Sequence, residues 1–326
     1  MDFPQRPEAP SPDIALRSIP HPIAAKWNGI ILRRRIPIRR GRDPHPPGKG
    51  GRSIAAVKIA LCQTNCGDDV AANEEQVFGL LERAAADGVD LAALPEVWPR
   101  QGSAREIREA AEPVPGPRTD RLAKLAGRHR MWVHGGSVLE RDGERIFNTS
   151  VLFDRSGELV ATYRKIHLFD ADPPGAVPSR ESSVFSAGDK VVTAETEFGR
   201  VGMSICYDLR FPELYRALAV KGATILFVPA AFRFETGVDH WEPLLRARAI
   251  EDQAFVVASA QWGSWGPPGR ERRNFGHSLV ADPWGNLVAQ APDEVGVTFA
   301  ELDLARVEQV RQILPSLRHR RLQPSC

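Results

Sequence analysis

The sequence predicts an α/β fold in which apolar sheets are sandwiched between helices. Three observations predict it. Strand-like and helix-like segments alternate along the chain. The strand-like runs are apolar at consecutive positions, as in strands covered on both faces. The chain has 326 residues and is 42% hydrophobic, and roughly 270 residues remain after an unusual N-terminal arm, which suits one large domain.

The elements follow in order. Val57 to Gln63 reads as the first strand, and Asp69 to Ala86 as a helix with Val77, Leu80, Leu81 and Ala84 at helical spacing. Gly88 closes that helix. Leu91 to Leu94 form a buried strand that delivers Glu96 to a loop after Pro95. Arg118 to His129 is a second helix. Met131 to Leu139 and Phe147 to Phe153 are strands joined by the hairpin signal Arg141-Asp142-Gly143-Glu144. Glu158 to Tyr163 is a further strand, and Phe169 to Lys190 reads as a long loop, a length usually reserved for function or mobility. Arg200 to Ile205 is a strand that stops at Cys206, followed by a helix from Pro212 to Lys221 with proline in its first turn. Then come the strand Thr224 to Val228, the helix Asp239 to Asp252 and the strand Phe255 to Ser259. Two strands flank Asp282-Pro283-Trp284-Gly285-Asn286, and a last strand (Gly296 to Leu302) and helix (Ala305 to Leu314) end the pattern.

Residues 1–55 are a separate matter. Positions 1–52 hold 11 Lys or Arg against 4 Asp or Glu, so the rest of the chain is acidic although the total is +2. This arm is rich in proline and arginine, has no apolar period, and is expected to be a mostly disordered extension to a domain spanning 56–322. Its acidic residues Asp2, Glu8 and Asp13 argue against a transit peptide. The small net charge gives no general case for nucleic-acid binding. No run of 18 apolar residues exists, so a membrane span is not expected. Four cysteines in a chain this large, with no secretory signal, point to a reducing cytoplasm. Cys62 and Cys66 lack partners at zinc spacing and read as structural.

Cys206 sits at a strand-to-helix junction, where unpaired N–H groups favour a thiolate and can hold an oxyanion. Alone it reads as a structural cysteine. Its company changes that. Asp90-Leu91-Ala92-Ala93-Leu94-Pro95-Glu96 ends on a carboxylate, and Tyr163-Arg164-Lys165-Ile166-His167-Leu168-Phe169-Asp170 carries a lysine among apolar neighbours. A base, a cation and a thiol are what nucleophilic attack on an amide requires.

In the order Glu96, Lys165, Cys206 these segments resemble the nitrilase superfamily of carbon–nitrogen hydrolases, from about Val57 to Arg321. The resemblance implies a four-layer α-β-β-α sandwich and dimers joined through the helix after Cys206 and the helix at Asp239–Asp252. It implies that Glu96 is the base, Lys165 the oxyanion partner and Cys206 the nucleophile. Glu181, in Arg180-Glu181-Ser182, would orient Lys165, and the N–H of Tyr207 would be a second oxyanion donor. No metal or organic cofactor is implied. The runs Cys206-Tyr207-Asp208-Leu209-Arg210-Phe211-Pro212-Glu213-Leu214, Phe275-Gly276-His277-Ser278 and Asp282-Pro283-Trp284-Gly285 narrow the resemblance to the Nit branch, and to its deaminated glutathione amidase type.

A terminal amide on a small carboxylated substrate, cleaved through a thioester with release of ammonia, is therefore the expected reaction. Arg210 and Arg233 offer guanidinium forks for a carboxylate, with Thr236, His240 and Trp241 near the expected pocket. The competing reading pairs Arg210 with Asp208 or Glu213. His167 and His277 read as structural. ω-Amide, N-carbamoyl amino acid and nitrile hydrolysis share the same acyl-enzyme route, and an inactive scaffold on the same fold is the non-enzymatic alternative.

Overall fold

The computed structural model describes residues 56–172 and 177–322. The expectations for the arm at 1–55 lie outside the described residues, as does the fourth cysteine, Cys326.

The first sheet is built from the N-terminal half. Its strands are β1 (Ala56–Gln63), β2 (Leu91–Ala93), β3 (Trp132–Asp142), β4 (Arg145–Phe153) and β5 (Leu159–Arg164). A short ribbon, β6 (Asp170–Ala171) with β7 (Ser179–Arg180), interrupts the predicted long loop. The second sheet comprises β8 (Thr193–Thr196), β9 (Gly199–Met203), β10 (Ile225–Phe227) and β11 (Phe255–Ala258). A hairpin of β12 (Trp262–Trp265) and β13 (Arg272–Phe275) leaves that sheet, which then gains β14 (Leu279–Ala281) and β15 (Leu287–Gln290). The last strand, β16 (Gly296–Asp303), returns to the first sheet and runs antiparallel to β1 along its whole length. The orders are β16-β1-β2-β3-β4-β5 and β15-β14-β11-β10-β9-β8.

The side-chain alternation of β1 shows the layering. Val57, Ile59 and Leu61 belong to a core shared with Val201, Met203 and Leu226 of the second sheet. Ala60 and Cys62 point the other way, into a core with Val77, Leu81 and Ala84 of helix α1 (Val70–Ala86). After the short α2 (Ala104–Ala110), helix α3 (Pro117–His129) covers the same face with Leu122, Leu125 and Ala126. On the far side, α4 (Pro212–Val220) and α5 (Phe234–Asp252) pack Leu214, Leu218, Trp241 and Leu245 into the shared core. A period of two along the strands, with both faces apolar, thus produces helix, sheet, sheet and helix layers. The chain closes with α6 (Ala305–Ile313). Among the described residues no helix is long and apolar enough to cross a membrane.

Most boundaries shift by one to three residues from the sequence reading, and the largest helix shift is at α5. Helix α5 begins at Phe234 rather than Asp239, five residues earlier. A 3-10 turn, Cys206–Arg210, separates β9 from α4.

Candidate active site

Glu96 reaches the site because β2 is short and stops at proline, which cannot donate to the ladder. Gly136 in β3 makes the exit possible. Its φ is +60°, and a Cβ there would lie 2.0 Å from the Pro95 carbonyl oxygen and 2.7 Å from that of Leu94. Ser137 fixes the next residue by accepting a 2.9 Å hydrogen bond from the N–H of Val97, which itself sits at φ +43°. Left-handed backbone at a β-branched residue is uncommon and costs energy. Gly136→Ala should therefore push the Pro95 backbone away and drag Glu96 with it. The expected result is a destabilisation of about 1–3 kcal/mol together with a fall in turnover, read by thermal melting and steady-state kinetics. A variant with unchanged turnover would refute the coupling.

Lys165 is the residue after β5, and its N–H donates to the Asn148 carbonyl at 2.9 Å, so β4 and β5 set it opposite Asn148. Only 2% of it is exposed. Its Nζ donates to Glu96 Oε1 at 2.7 Å and to Glu181 Oε2 at 2.9 Å. Asn148 Nδ2 donates to the same pair, to Glu96 Oε1 at 2.9 Å and Glu181 Oε1 at 3.1 Å. The second oxygen of Glu96 accepts the N–H of Ala231 at 2.7 Å. Glu181, in the 3-10 turn after β7, also accepts the N–H of Phe169 at 2.6 Å. Both oxygens of each carboxylate are thus engaged. Burial alone would pull the Lys165 pKa down, but the charges of Glu181 and Glu96 outweigh it and hold the ammonium well above the usual lysine value.

Cys206 opens the 3-10 turn that follows β9, is buried, and sits at φ +46°, with its N–H donating to the Pro229 carbonyl at 3.0 Å. The strained turn projects the sulfur out of the sheet edge toward Glu96 and Lys165, as a nucleophile elbow does. Burial and the negative charge of Glu96 push the thiol pKa well above its ordinary value, against the opposing pull of Lys165. Cys206 therefore rests as a thiol beside a carboxylate.

One cavity of about 330 Å³ is lined by Glu96, Lys165, Glu181, Cys206 and Arg233, so these predicted residues are brought together. Tyr207, Arg210 and Thr236 line a small recess that also borders Cys206 and Arg233. The pairing of Arg210 with Asp208 or Glu213 does not occur. Arg210 Nη1 lies 3.2 Å from His240 Nδ1, and the guanidinium rests over the Phe232 ring at 5.2 Å. Asp208 is instead fully buried, accepting from Tyr163 Oη at 2.7 Å, from the N–H of Ile205 at 2.9 Å and from His167. His167 thus has the carboxylate partner that the sequence could not supply, with Nδ1 2.7 Å from Asp208 Oδ1. Trp241 does not line either space. It is fully buried, donates to the His277 carbonyl at 2.8 Å and packs on Phe232. His240 is exposed on α5 and meets the site only through Arg210.

Asn148 is a site residue that sequence reasoning missed. The available signal was one amide inside the apolar-to-hydroxyl run Phe147-Asn148-Thr149-Ser150. Gln261 was also missed. Its Nε2 donates to the Glu96 carbonyl at 3.0 Å, while its Oε1 accepts from Thr64 Oγ1 and the N–H of Cys66.

The carbon-nitrogen hydrolase family model matches residues 58–312. The chain belongs to the carbon–nitrogen hydrolase family. This hydrolase is 40% identical to the deaminated glutathione amidase of Bos taurus over 81% of each chain. It is 35% identical to the ω-amidase NIT2 of Homo sapiens, over 82% of its own length and 96% of the relative's. Among solved structures it resembles Nit3 of Saccharomyces cerevisiae, a member of branch 10 of the nitrilase superfamily, with a TM-score of 0.73 and 33% identity over 82% of this chain and 97% of that one. The layered fold is that of the nitrilase superfamily, and the hydrolase is an amidohydrolase acting on a non-peptide carbon–nitrogen bond.

Proposed function

We propose that Glu96, Lys165 and Cys206 carry out amide hydrolysis through a thioester. The observation that carries this reading is the Lys165 ammonium, buried between Glu96 and Glu181 in the wall of the cavity that holds the Cys206 thiol. Glu96 takes the thiol proton as sulfur attacks the amide carbon. Lys165 and the N–H of Tyr207, in the first turn after the nucleophile, bind the oxyanion. The C–N bond breaks as Glu96 returns the proton to the departing nitrogen, leaving a thioester. Glu96 then takes a proton from water, the hydroxide displaces sulfur, and Cys206 regains its proton. Glu181 and Asn148 hold Lys165 and Glu96 in register throughout.

The acyl group we assign is that of a small carboxylated amide, of the deaminated glutathione type, with Arg210 and Thr236 in the recess beside Cys206 receiving its carboxylate. Ammonia leaves only from a primary amide. Deaminated glutathione is a secondary amide, and its leaving group is a cysteinyl dipeptide. An assay should therefore follow release of both ammonia and peptide amine from deaminated glutathione, α-ketoglutaramate, an N-carbamoyl amino acid and a nitrile. Hydrolysis of the first two above the others is the expected result, and inertness toward every amide would sink the reading.

The buried free thiols Cys62, Cys66 and Cys206 support a reducing compartment such as the cytoplasm. Exposed Val220 on α4 with Val238 and Ile250 on α5 support a homodimer through these helices. A monomer in sedimentation velocity would set that aside.

A further inference from the structure

The space around Cys206 extends in two directions. Arg210 and Thr236 line the small recess, which Glu96 does not border, and Arg233 stands between the two spaces. Glu96, Lys165 and Glu181 line the larger cavity, whose far wall carries Arg272, Trp265 and Asn274 of the β12–β13 hairpin. In the reaction above, Glu96 must protonate the departing nitrogen. The leaving group therefore lies on the Glu96 side, in the larger cavity, while the recess, at about 20 Å³, admits only the tip of the acyl group.

That larger cavity presents unused donors. Arg233 is 7% exposed, and its one carboxylate contact among the described residues is Glu235, at 3.4 Å. Arg272 makes no ion pair among the described residues. It donates to the Pro178 carbonyl at 3.3 Å and lies over the Trp265 ring at 5.3 Å. Trp265 Nε1 and Arg100 Nε, in the same walls, are buried without a hydrogen-bond partner among the described residues. Burial, followed by the positive charge of Arg233, holds the Arg272 pKa below its ordinary value, so the two guanidiniums feel each other. Arg233 also precedes α5, whose first turn adds its own positive end and has no side-chain cap. Two like charges facing one cavity repel until an anion enters and accepts from both.

We propose that Arg233 and Arg272 form a subsite for a carboxylate on the leaving amine, making them the residues that select amino-acid or peptide amides over primary amides. This rests on the amidase reading, because Glu96 decides which direction is the leaving side. Arg272 comes to the site only through the hairpin, hinged where the Phe275 N–H donates to the Phe232 carbonyl at 2.8 Å.

The test uses three amides with one acyl group: a primary amide, an amide whose leaving amine is a dipeptide with a free C-terminal carboxylate, and the methyl ester of that dipeptide amide. The free-carboxylate substrate should exceed its ester by about 10- to 100-fold in kcat/KM, the range expected for hydrogen bonds to a charged group. Arg272→Gln should remove most of that preference through KM, and should slow the primary amide far less. Equal handling of ester and acid by the unaltered enzyme overturns the subsite, as does an equal loss on the primary amide. If none of the three is cleaved, the amidase reading fails, and the subsite is judged by calorimetry on the Cys206→Ala protein. Binding of the acid at least tenfold tighter than the ester upholds it, and equal affinities overturn it.

Discussion

Cys206→Ala should lower kcat/KM on every amide substrate by on the order of 10⁴- to 10⁶-fold, the range set by removal of a covalent nucleophile. The fold should survive. Alanine tolerates φ +46° no worse than cysteine does, because both carry a Cβ and neither is branched. The loss of one buried sulfur costs on the order of 1 kcal/mol, and Lys165 keeps both of its carboxylate partners. Mass spectrometry of the unaltered enzyme quenched during turnover should show an acyl adduct on Cys206, absent from the variant. Alkylation supplies a second reading. Cys62, with its thiol pushed up to about 12 by burial, and Cys66, pushed up to about 11, should stay unmodified in the folded protein. Cys206 faces the cavity and has Glu96 to take its proton, so it should react, and Glu96→Gln should slow that reaction. An acyl adduct on any other residue, or turnover surviving in Cys206→Ala, would reject the mechanism.

Much of the fold was legible because it is written in periodicity. The apolar runs of β1, β2 and β10 and the helical spacing of α1 and α3 reflect surfaces that are buried, and burial is what composition encodes. What escaped was structure without a buried face. Helix α2 buries none of its residues, and its only local signature is the capping box between Ser103 and Glu106. Strand β8 is an edge strand of partly exposed residues, so no alternation marks it. The β12–β13 hairpin is interrupted by Gly266, Pro267, Pro268 and Gly269, and its second strand begins with two arginines. Nothing in that string tells which face they present.

The site divides the same way. Glu96 and Cys206 follow apolar strands, where a lone polar or thiol side chain is conspicuous, and Lys165 follows the partly exposed β5 next to Arg164, where only the resemblance singles it out. Asn148 and Gln261 act through partners 52 and 165 residues away, and Arg272 through a hairpin whose position is a tertiary fact. Arg210 shows the limit most clearly. Its sequence neighbours Asp208 and Glu213 suggested local pairing, but the 3-10 turn sends Asp208 inward to Tyr163 and His167 and leaves the guanidinium over Phe232.

Lys165→Met should be the most damaging single change for fold and reaction together. The methionine keeps the length of the stem and loses the charge. Glu96 and Glu181 would then face each other, buried, across an apolar thioether, with Asn148 as their one shared donor. Removing one partner of a buried ion pair costs about 3–5 kcal/mol, chiefly through the uncompensated charge left behind. Loss of an oxyanion donor lowers kcat by a further 100- to 1,000-fold, about the range seen for such groups. The two effects are separable. Adding Glu181→Gln to Lys165→Met removes one of the stranded charges, so the double variant should regain part of the lost stability and none of the activity. The pH dependence has a definite sign. The folded-state pKa of Lys165 lies above its unfolded value, so its contribution is fully present below about pH 10, near the unfolded lysine pKa, and is lost as pH rises through the higher folded value. Urea midpoints measured from neutral into alkaline solution should therefore converge for the unaltered and Lys165→Met proteins at the alkaline end. A gap that stays constant across the whole range would show that the ammonium is not the source of the stability, and that Lys165 contributes by packing alone.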